Sequence, residues 1–276
     1  MGKNENRFRD GLVISTSIRN PQSAIRNRMW VMIVIPVYNH GATLRAVVEK
    51  ALQVHDTVMV VDDGSTDGGG ETITGLNVRR IRHSRNFGKG SAILSAAREA
   101  EKLGVTHMVT LDADGQHDPK DFHLFVSAMN RHPRAIVVGK RNFETGYVPS
   151  GSRIGRRISN FWLWVETGRM LGDTQSGYRG YPVRVLNALR LRERHYAFEN
   201  EVLAKGAWAG VELLEVDVST FYPVAEARIS HFHLFRDNVR LSMLNARLTL
   251  RAMIPWPHRK LVHLEKRQPS VKKRGF

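Results

Sequence analysis

The segment Met108-Val109-Thr110-Leu111-Asp112-Ala113-Asp114 ends an apolar run with two carboxylates one residue apart. The apolar residues predict a buried parallel strand, and open α/β sheets bind ligands at the carboxyl ends of such strands. Two carboxylates this close repel each other unless a cation lies between them, and their oxygens suit Mg²⁺ or Mn²⁺. An exposed Asp-Gly turn is the alternative interpretation, since both residues are common in turns. These residues alone support the two interpretations equally.

Predicted strands and helices alternate around this segment. Strands are predicted at 31–37, 57–61, 78–81, 135–138 and 211–218, and helices at 43–52, 87–103, after Pro119, 161–171 and 198–207. Residues 141–157 are rich in Gly, Arg and Ser and predict a loop or lid, and 172–182 is rich in turn residues. The alternation favours βαβ units and a parallel sheet.

Composition limits the classes of protein. The chain has 276 residues, 42% of them apolar, no cysteine and a net charge of +16. Disulfide and thiolate-metal sites are therefore excluded. No apolar run approaches the roughly 20 residues of a membrane-spanning helix, and we expect a cytoplasmic protein.

Polar residues also follow the first two predicted strands. Pro36, Tyr38 and Asn39 end the first strand, and Asp62 and Asp63 end the second. Proline marks where a strand stops, and an acid at a strand end can accept hydrogen bonds from a ribose or a base. Capping of the following helices is the structural alternative.

The segment His83–Gly90 begins the long helix and carries Lys89. Its glycines allow the backbone to approach a ligand, and helix N-termini bind anions. The spacing is not that of a P-loop, and residues 68–70 lack the dinucleotide-binding glycine pattern. Packing at a helix start is an equally good interpretation, and hydride transfer is disfavoured.

Five short motifs occur in order along the chain. They are Ile35-Pro36-Val37-Tyr38-Asn39, Val61-Asp62-Asp63-Gly64-Ser65-Thr66-Asp67-Gly68, Asn86-Phe87-Gly88-Lys89-Gly90, Asp112-Ala113-Asp114-Gly115-Gln116-His117 and Asp173-Thr174-Gln175-Ser176-Gly177-Tyr178-Arg179. Together they resemble the family 2 inverting glycosyltransferases, and most closely the polyprenyl-phosphate sugar transferases. The resemblance runs from about Val31 to His231 and implies an α/β GT-A fold, a mostly parallel sheet flanked by helices.

The resemblance also implies roles for individual residues. The residues implied to bind the nucleotide sugar are Pro36, Tyr38, Asn39, Asp62, Asp63 and Lys89, and those implied to hold Mg²⁺ or Mn²⁺ with the diphosphate are Asp112, Asp114 and Gln116. Asp173 is a further candidate catalytic acid. Near the end of the resemblance, Arg228 keeps a phosphate-binding position, whereas His231 replaces a lysine and is only partly charged at neutral pH.

An inverting transfer must neutralise the charge that grows on the leaving nucleoside diphosphate. A metal on Asp114 and the arginines Arg153, Arg179 and Arg228 are the candidates. For Arg153 and Arg179, a solvated surface position or a structural ion pair is an equally good interpretation.

Activation of the acceptor divides the hypotheses. A hydroxyl acceptor needs a general base, and Glu199 and Glu201 on a predicted helix are candidates, Glu201 at the position where the family has an acid. A phosphate acceptor is already an anion at pH 7 and needs only positioning by cations. A solvated helix face with one structural ion pair is the alternative for both acids.

The C-terminal region is basic and amphipathic. Residues 231–276 carry eleven Lys and Arg against Asp237 and Glu265. On a helical wheel one side holds Phe232, Phe235, Val239, Met243, Ala246, Leu250 and Met253, an adjacent stripe holds Arg236, Arg240, Arg247 and Arg251, and Leu234, Leu241, Leu244 and Leu248 lie beyond it. This pattern predicts a helix in a membrane interface, with the basic tail attracted to anionic lipid. Docking on the catalytic domain is the alternative.

The sequence thus predicts a disordered basic extension (1–28), a catalytic domain (29–231), an interfacial helix (232–256) and a disordered basic tail (257–276). The predicted activity is transfer of a hexose from a UDP- or GDP-sugar to a lipid-linked acceptor, most simply a polyprenyl phosphate, at the inner membrane face. Transfer to a hydroxyl of a glycolipid or glycan is the nearest alternative. A nucleic-acid-binding protein and a nucleotide-binding protein without catalysis are the others; we expect no nucleic acid, because aromatic and glycine RNA motifs are missing from the sequence.

Overall fold

The computed structural model describes residues 29–142, 150–221, 234–254, 257–258 and 260–261. The strands are β1 (Val31–Val37), β2 (Val58–Asp62), β3 (Arg79–Arg82), β4 (His107–Thr110), β5 (Ile136–Arg141), β6 (Arg179–Pro182) and β7 (Leu213–Val218). The helices are α1 (Gly41–Val54), α2 (Lys89–Leu103), α3 (Phe122–Arg131), α4 (Ser150–Thr167), α5 (Val183–Ala188), α6 (Phe198–Trp208) and α7 (Leu234–Met253). Short 3₁₀ turns cover Gly69–Ile73 and Pro119–Asp121.

The described strands form one sheet in the order β3-β2-β1-β4-β6-β5-β7. All neighbouring pairs are parallel except those of β6, which runs antiparallel to β4 and β5. The prediction of a mostly parallel sheet is confirmed. The strands β1, β2 and β4 therefore end at the same side of the sheet, which is the carboxyl-terminal edge where the predicted polar residues lie.

Both faces of the sheet are covered. Met32 and Val34 of β1 pack into one apolar cluster, and Ile33 and Ile35 pack into another on the opposite face. Every residue of β1 is buried. A strand buried on both faces reads as a continuous apolar run, which is why the sequence identified β1 with the correct bounds.

The region after β5 differs from the prediction in two places. Residues 172–182, expected to be rich in turns, contain the strand β6, whose four residues have too little apolar character to predict a strand. Residues 141–157, expected to form a loop or lid, include the start of α4 at Ser150, and this helix ends at Thr167 rather than at 171. Tertiary pairing fixes β6, since its hydrogen bonds go to strands distant in sequence.

Helix α7 docks on the catalytic domain by one of its two apolar sides. Leu244 and Leu248 are almost completely buried in the core, and the helix packs on α4. The Arg247 guanidinium contacts the carboxylates of Glu193 and Glu201 at 3.0 and 3.1 Å. The prediction that Arg247 would snorkel into lipid is therefore wrong, and the docked alternative holds for this side of the helix.

Part of the predicted disordered tail also packs on the domain. The His258 ring stacks on Trp208 with centroids 4.4 Å apart, and Leu261 is buried. Residues 1–28, and the tail beyond 261, lie outside the described residues.

Candidate active site

Lys89 links two acids at the carboxyl edge of the sheet. This lysine begins α2, and its Nζ lies 2.7 Å from Asp112 Oδ1 and 2.7 Å from Glu199 Oε1. Asp112 follows β4, and Glu199 belongs to the first turn of α6. Burial disfavours the charge on Lys89, but the two carboxylates outweigh it and raise the pKa of the ammonium. Elements distant in sequence thus converge on a carboxylate–ammonium–carboxylate cluster in which one ammonium is shared by two carboxylates.

Gly177 packs directly against this cluster. A Cβ atom there would overlap the Asp112 carboxylate and the Lys89 ammonium. The Gly177 carbonyl accepts a hydrogen bond of 2.7 Å from the Thr110 hydroxyl, which ties the loop to β4. Sequence reasoning placed Gly177 in a motif but gave it no role, because a close approach of backbone to side chains is a tertiary property.

Asp114 is electrostatically different from Asp112. Burial raises the pKa of Asp112, but the Lys89 ammonium outweighs this and holds the pKa below its ordinary value. Burial and the charge of Asp112 raise the pKa of Asp114 to about 6. One Asp114 oxygen accepts a hydrogen bond of 2.9 Å from the Gln116 backbone N–H. An added cation would therefore stabilise the charged form of Asp114, whereas Lys89 already stabilises that of Asp112.

The oxygen atoms of these side chains fit a hard divalent cation whose coordination shell is completed by the substrate. Within the described part of the chain, no three or more Asp, Glu or His side chains are grouped to hold an ion. Mg²⁺ is commonly held by one or two carboxylates together with substrate phosphates rather than by a protein cage. The Asp114 carboxylate with the half-buried Gln116 and Asp112 side chains would provide such an incomplete site.

Asp63 and Asp62 order the loops beside the site. The Asp63 carboxylate accepts hydrogen bonds from the backbone N–H groups of Phe87 and Gly88 at 3.0 and 2.7 Å, and His83 Nδ1 lies 2.6 Å away. Asp62 Oδ1 accepts a bond of 2.8 Å from the Ser65 N–H. Asp63 thus holds the end of β2 against the start of α2, and Asp62 orders the turn that follows β2. The His83 contact was not predicted from sequence.

The residues predicted at the end of β1 share this edge. Pro36 is buried within β1, and Tyr38 follows the strand half-buried. Asn39 has a left-handed backbone, and its side-chain oxygen accepts a bond of 2.8 Å from the Thr66 N–H. Asn39 thus joins the loops after β1 and β2, and it does not cap the helix that follows β1 as the structural alternative expected.

Arg179 and Asp173 do not face the site. The Arg179 side chain is fully buried, and its guanidinium donates to the carbonyl groups of Ser176, Glu199 and Thr174 at 2.6, 2.7 and 2.6 Å. Asp173 is equally buried and forms a bidentate pair with the Arg141 guanidinium at 2.7 and 2.9 Å. The direct substrate and catalytic roles predicted for Arg179 and Asp173 therefore disagree with the structure, because their polar atoms are engaged in holding the loop.

Glu201 also points away from the site. Its Oε2 accepts the backbone N–H groups of Arg192 and Glu193 at 2.7 and 2.8 Å, and its Oε1 lies 2.9 Å from Lys205 Nζ. With the Arg247 contact, four donors surround a carboxylate that is 0% exposed. The prediction of Glu201 as general base is contradicted by this burial, and Glu199 is the acid of α6 that lies in the cluster.

The remaining predicted cations lie at the periphery or outside the described residues. Arg153 is exposed in the first turns of α4. Arg228 and His231 fall in 222–233, which the structure does not describe.

Comparison with known families then identifies the chain. The family described as "Glycosyl transferase family 2" matches residues 32–189. The chain belongs to this family. This glycosyltransferase is 29% identical over 216 residues to the UDP-N-acetylglucosamine–dolichyl-phosphate N-acetylglucosaminyltransferase of Methanococcus voltae, covering 70% of this chain and 86% of the relative. It is 26% identical over 222 residues to the polyprenol monophosphomannose synthase of Mycolicibacterium smegmatis, covering 71% and 79%.

A solved structure has a similar fold. Glucosyl-3-phosphoglycerate synthase of Mycobacterium tuberculosis, in complex with Mn²⁺, UDP and phosphoglyceric acid, aligns with a TM-score of 0.63 over 84% of this chain and 81% of its own. The two are 16% identical, so the likeness establishes the GT-A fold of this glycosyltransferase. No helix in the described ranges combines the length and apolar character needed to cross a membrane.

Proposed function

We propose that this family 2 glycosyltransferase moves a hexose from a nucleotide sugar to a polyprenyl phosphate, with inversion at the anomeric carbon. The relatives from Methanococcus and Mycolicibacterium support this proposal, since their names specify dolichyl-phosphate and polyprenol acceptors. In the proposed step an acceptor phosphate oxygen forms a bond to the anomeric carbon. The bond to the nucleoside diphosphate breaks, and the leaving group keeps the electron pair.

The ion pair between Glu199 and Lys89 supports a phosphate acceptor over a hydroxyl acceptor. A hydroxyl acceptor must lose a proton to a base, and Glu199 is the acid of α6 in the cluster. Its Oε1 lies 2.7 Å from the Lys89 ammonium, so this oxygen is already engaged by a cation rather than open to an acceptor hydroxyl. A phosphate acceptor avoids this requirement because it is already anionic at pH 7.

The donor diphosphate would bind at Asp114. A Mg²⁺ or Mn²⁺ ion held there would neutralise the charge that develops on the leaving group. The residues of the chain would hold the donor around it: Lys89 keeps Asp112 ionised and in place, and Gly177 allows the backbone to pack closely against the pair. The Asp63 carboxylate fixes the backbone at the start of α2, which lies next to the proposed diphosphate position.

An exposed apolar face supports the proposal of a lipid-linked acceptor. On α4, Ile154, Ile158, Phe161 and Trp164 are each 50–58% exposed and follow one another at helical spacing. The first half of the helix packs against the loop that carries Gly177, since an added Cβ at Gly155 would lie 3.4 Å from the Gln175 side chain, two residues before Gly177. A lipid bound along α4 would therefore reach the catalytic cluster with its head group.

Helix α7 adds a second exposed apolar stripe. Met243, Leu250 and Met253 are 64–75% exposed, on the side opposite the buried Leu244 and Leu248. We propose that α4, α7 and the basic tail bind an anionic membrane surface peripherally. The cytoplasmic side stays a prediction from the sequence.

Two acceptors that differ only in their phosphate test the proposal. The purified full chain is incubated with UDP- and GDP-hexoses, Mn²⁺ and either a short polyprenyl phosphate or the matching polyprenol. We expect a polyprenyl-phosphate sugar as product and no transfer to the alcohol. Transfer to the alcohol alone would replace the proposal by the hydroxyl alternative.

Glu199→Gln separates the two acceptor mechanisms further. If Glu199 acts as a base, the variant loses turnover at all pH values while donor binding stays intact. In the proposed mechanism the variant weakens the Lys89 cluster and donor binding, but transfer persists at saturating donor. Donor affinity measured by titration calorimetry distinguishes these outcomes.

Liposome flotation tests the membrane proposal against the nucleic-acid alternative. The protein is mixed with anionic or neutral vesicles, and separately with duplex DNA and RNA, across a salt series. We expect flotation with anionic vesicles at salt concentrations where nucleic-acid binding is already lost. Retention on nucleic acid without flotation would contradict the membrane proposal.

A further inference from the structure

A basic cavity lies between the edge strand β3 and the second half of α2. Its volume is about 380 Å³, and its lining includes Arg79, Ser95, Arg98, Glu99 and Lys102. The four helical residues follow an i, i+3, i+4, i+7 pattern, so they share one face of α2. β3 ends the described sheet on the side opposite β7, and α2 begins at Lys89, so the cavity is separate from the catalytic cluster.

Positive charge exceeds negative charge in this cavity. The Glu99 carboxylate is shared between the Arg79 guanidinium and the Lys102 ammonium, the latter 3.2 Å away. Hydrogen bonding from Arg79, opposed by burial, lowers the pKa of Glu99. Arg98 adds a third cation, so the side chains carry a net charge of two. Arg80 also lines the cavity, but it is not counted with these three cations because its guanidinium donates to the Gly70 carbonyl.

The cations are held in place before any ligand arrives. Arg98 Nη2 donates to the Ser95 hydroxyl at 3.0 Å, and this hydroxyl lies 3.0 Å from His83 Nε2. Because a guanidinium can only donate, the Ser95 proton is available to His83, whose Nδ1 contacts Asp63. The bond to Ser95 uses one of the five N–H donors of Arg98. Two of the three cations are thus oriented by Glu99, and the third by an anchored serine.

We propose that this cavity is a second anion site, which binds a phosphate group through Arg79, Arg98 and Lys102. A phosphate monoester carries about two negative charges at pH 7, which matches the net charge of the lining. Arginine forks and a lysine ammonium are the usual protein partners of phosphate oxygens. The phosphate belongs either to a small soluble molecule or to a lipid head group.

Pyrophosphate binding in the presence of EDTA tests the site, because without a divalent cation the catalytic site has no metal to hold the diphosphate. Titration calorimetry on the full chain should show saturable binding. The double variant Arg98→Ala/Lys102→Ala should weaken it at least about tenfold, the loss expected for one charge-assisted hydrogen bond. Asp114→Asn should bind as the wild type does.

A charge-matched control separates a built site from general basicity. Lys50 and Arg131 are exposed on α1 and α3, and Lys50→Ala/Arg131→Ala removes the same charge elsewhere. Equal weakening in both double variants, or no saturable binding in the wild type, would overturn the proposal. Arg79, Arg98 and Lys102 would then serve only to oppose the pairing of the edge strand β3 with another chain.

Vesicles containing phosphatidate identify the source of the phosphate. If the cavity variant floats less well than the control variant, the ligand is a lipid head group. If both float equally while only the cavity variant loses pyrophosphate binding, the ligand is soluble. Either result supports the site.

Discussion

Replacing Glu201 with Gln should destabilise the protein and leave the chemistry nearly intact. Glu201 is 0% exposed on its side chain and faces two backbone N–H groups and two cations. A carboxylate accepts from all four donors, but an amide has one accepting oxygen and one donating NH₂ group. In either amide orientation two donors then face another donor.

The cost follows from the number of donors left without a partner. A buried donor that loses its acceptor costs about 1–3 kcal/mol, and breaking a buried charge pair costs about 3–5 kcal/mol. Arg247 is 41% exposed, so water screens its share. We expect a loss of about 3 kcal/mol, which corresponds to a fall in Tm of roughly 6–12 °C for a chain of this size.

Thermal and urea unfolding followed by circular dichroism measure the loss. The transfer rate is then measured at a temperature at which the variant remains folded. We expect kcat within a few-fold of the wild type, because Glu201 makes its contacts on the side away from Lys89. Glu193→Gln is a milder control, since Glu193 contributes one partner to Arg247.

The opposite pattern would refute this reasoning. An unchanged Tm with a collapse of kcat would mean that Glu201 acts as a general base, as the family position of this acid suggests. The four contacts seen around its carboxylate would then have to rearrange during turnover.

Three further predictions concern other parts of the chain. Burial raises the pKa of Glu166 to about 8. Folding stability should therefore fall by about 1.4 kcal/mol per pH unit as the pH rises from about 4.5 towards 8. The variant Glu166→Gln should remove this pH dependence, which urea titrations at pH 5.5 and 8.5 measure. Gly177→Ala should displace Asp112 and weaken Mn²⁺-dependent donor binding, with a small effect on Tm; normal binding would show that the loop can move aside. Phe161→Gln/Trp164→Gln should weaken vesicle binding by about 2 kcal/mol without changing the rate on a detergent-solubilised acceptor, and unaltered flotation would exclude α4 from the membrane surface.

The sequence predicted those parts of the fold that local patterns determine. β1 and β2 are continuous apolar runs with polar residues at their carboxyl ends, so both the strands and the edge at which Asp63 and Asp112 meet followed from the pattern. β6 was missed because its position depends on hydrogen bonds to β4 and β5 rather than on its own four residues.

The directions of individual charged side chains could not be predicted in the same way. Glu199 and Glu201 are two positions apart on α6, about 200° around the helix, so they cannot face the same ligand. The sequence does not reveal which of the two faces Lys89. Arg179 presents the same difficulty. The sequence does not show whether an arginine guanidinium binds a phosphate or, as here, backbone carbonyl groups.

The docking of α7 connects membrane binding to the catalytic cluster. Arg247 joins this helix to Glu201 of α6, and Glu199, two residues earlier in the same first turn of α6, contacts Lys89. The stripe that includes Met243 stays exposed while Leu244 is buried, so α7 can contact lipid without leaving the domain. A membrane bound to this stripe would therefore be fixed relative to α6. The height of the acceptor phosphate above the lipid surface would then be set by the protein. Arg247→Ala should loosen the docking of α7 on α6. We expect this variant to raise KM for a vesicle-bound acceptor more than for a short soluble acceptor.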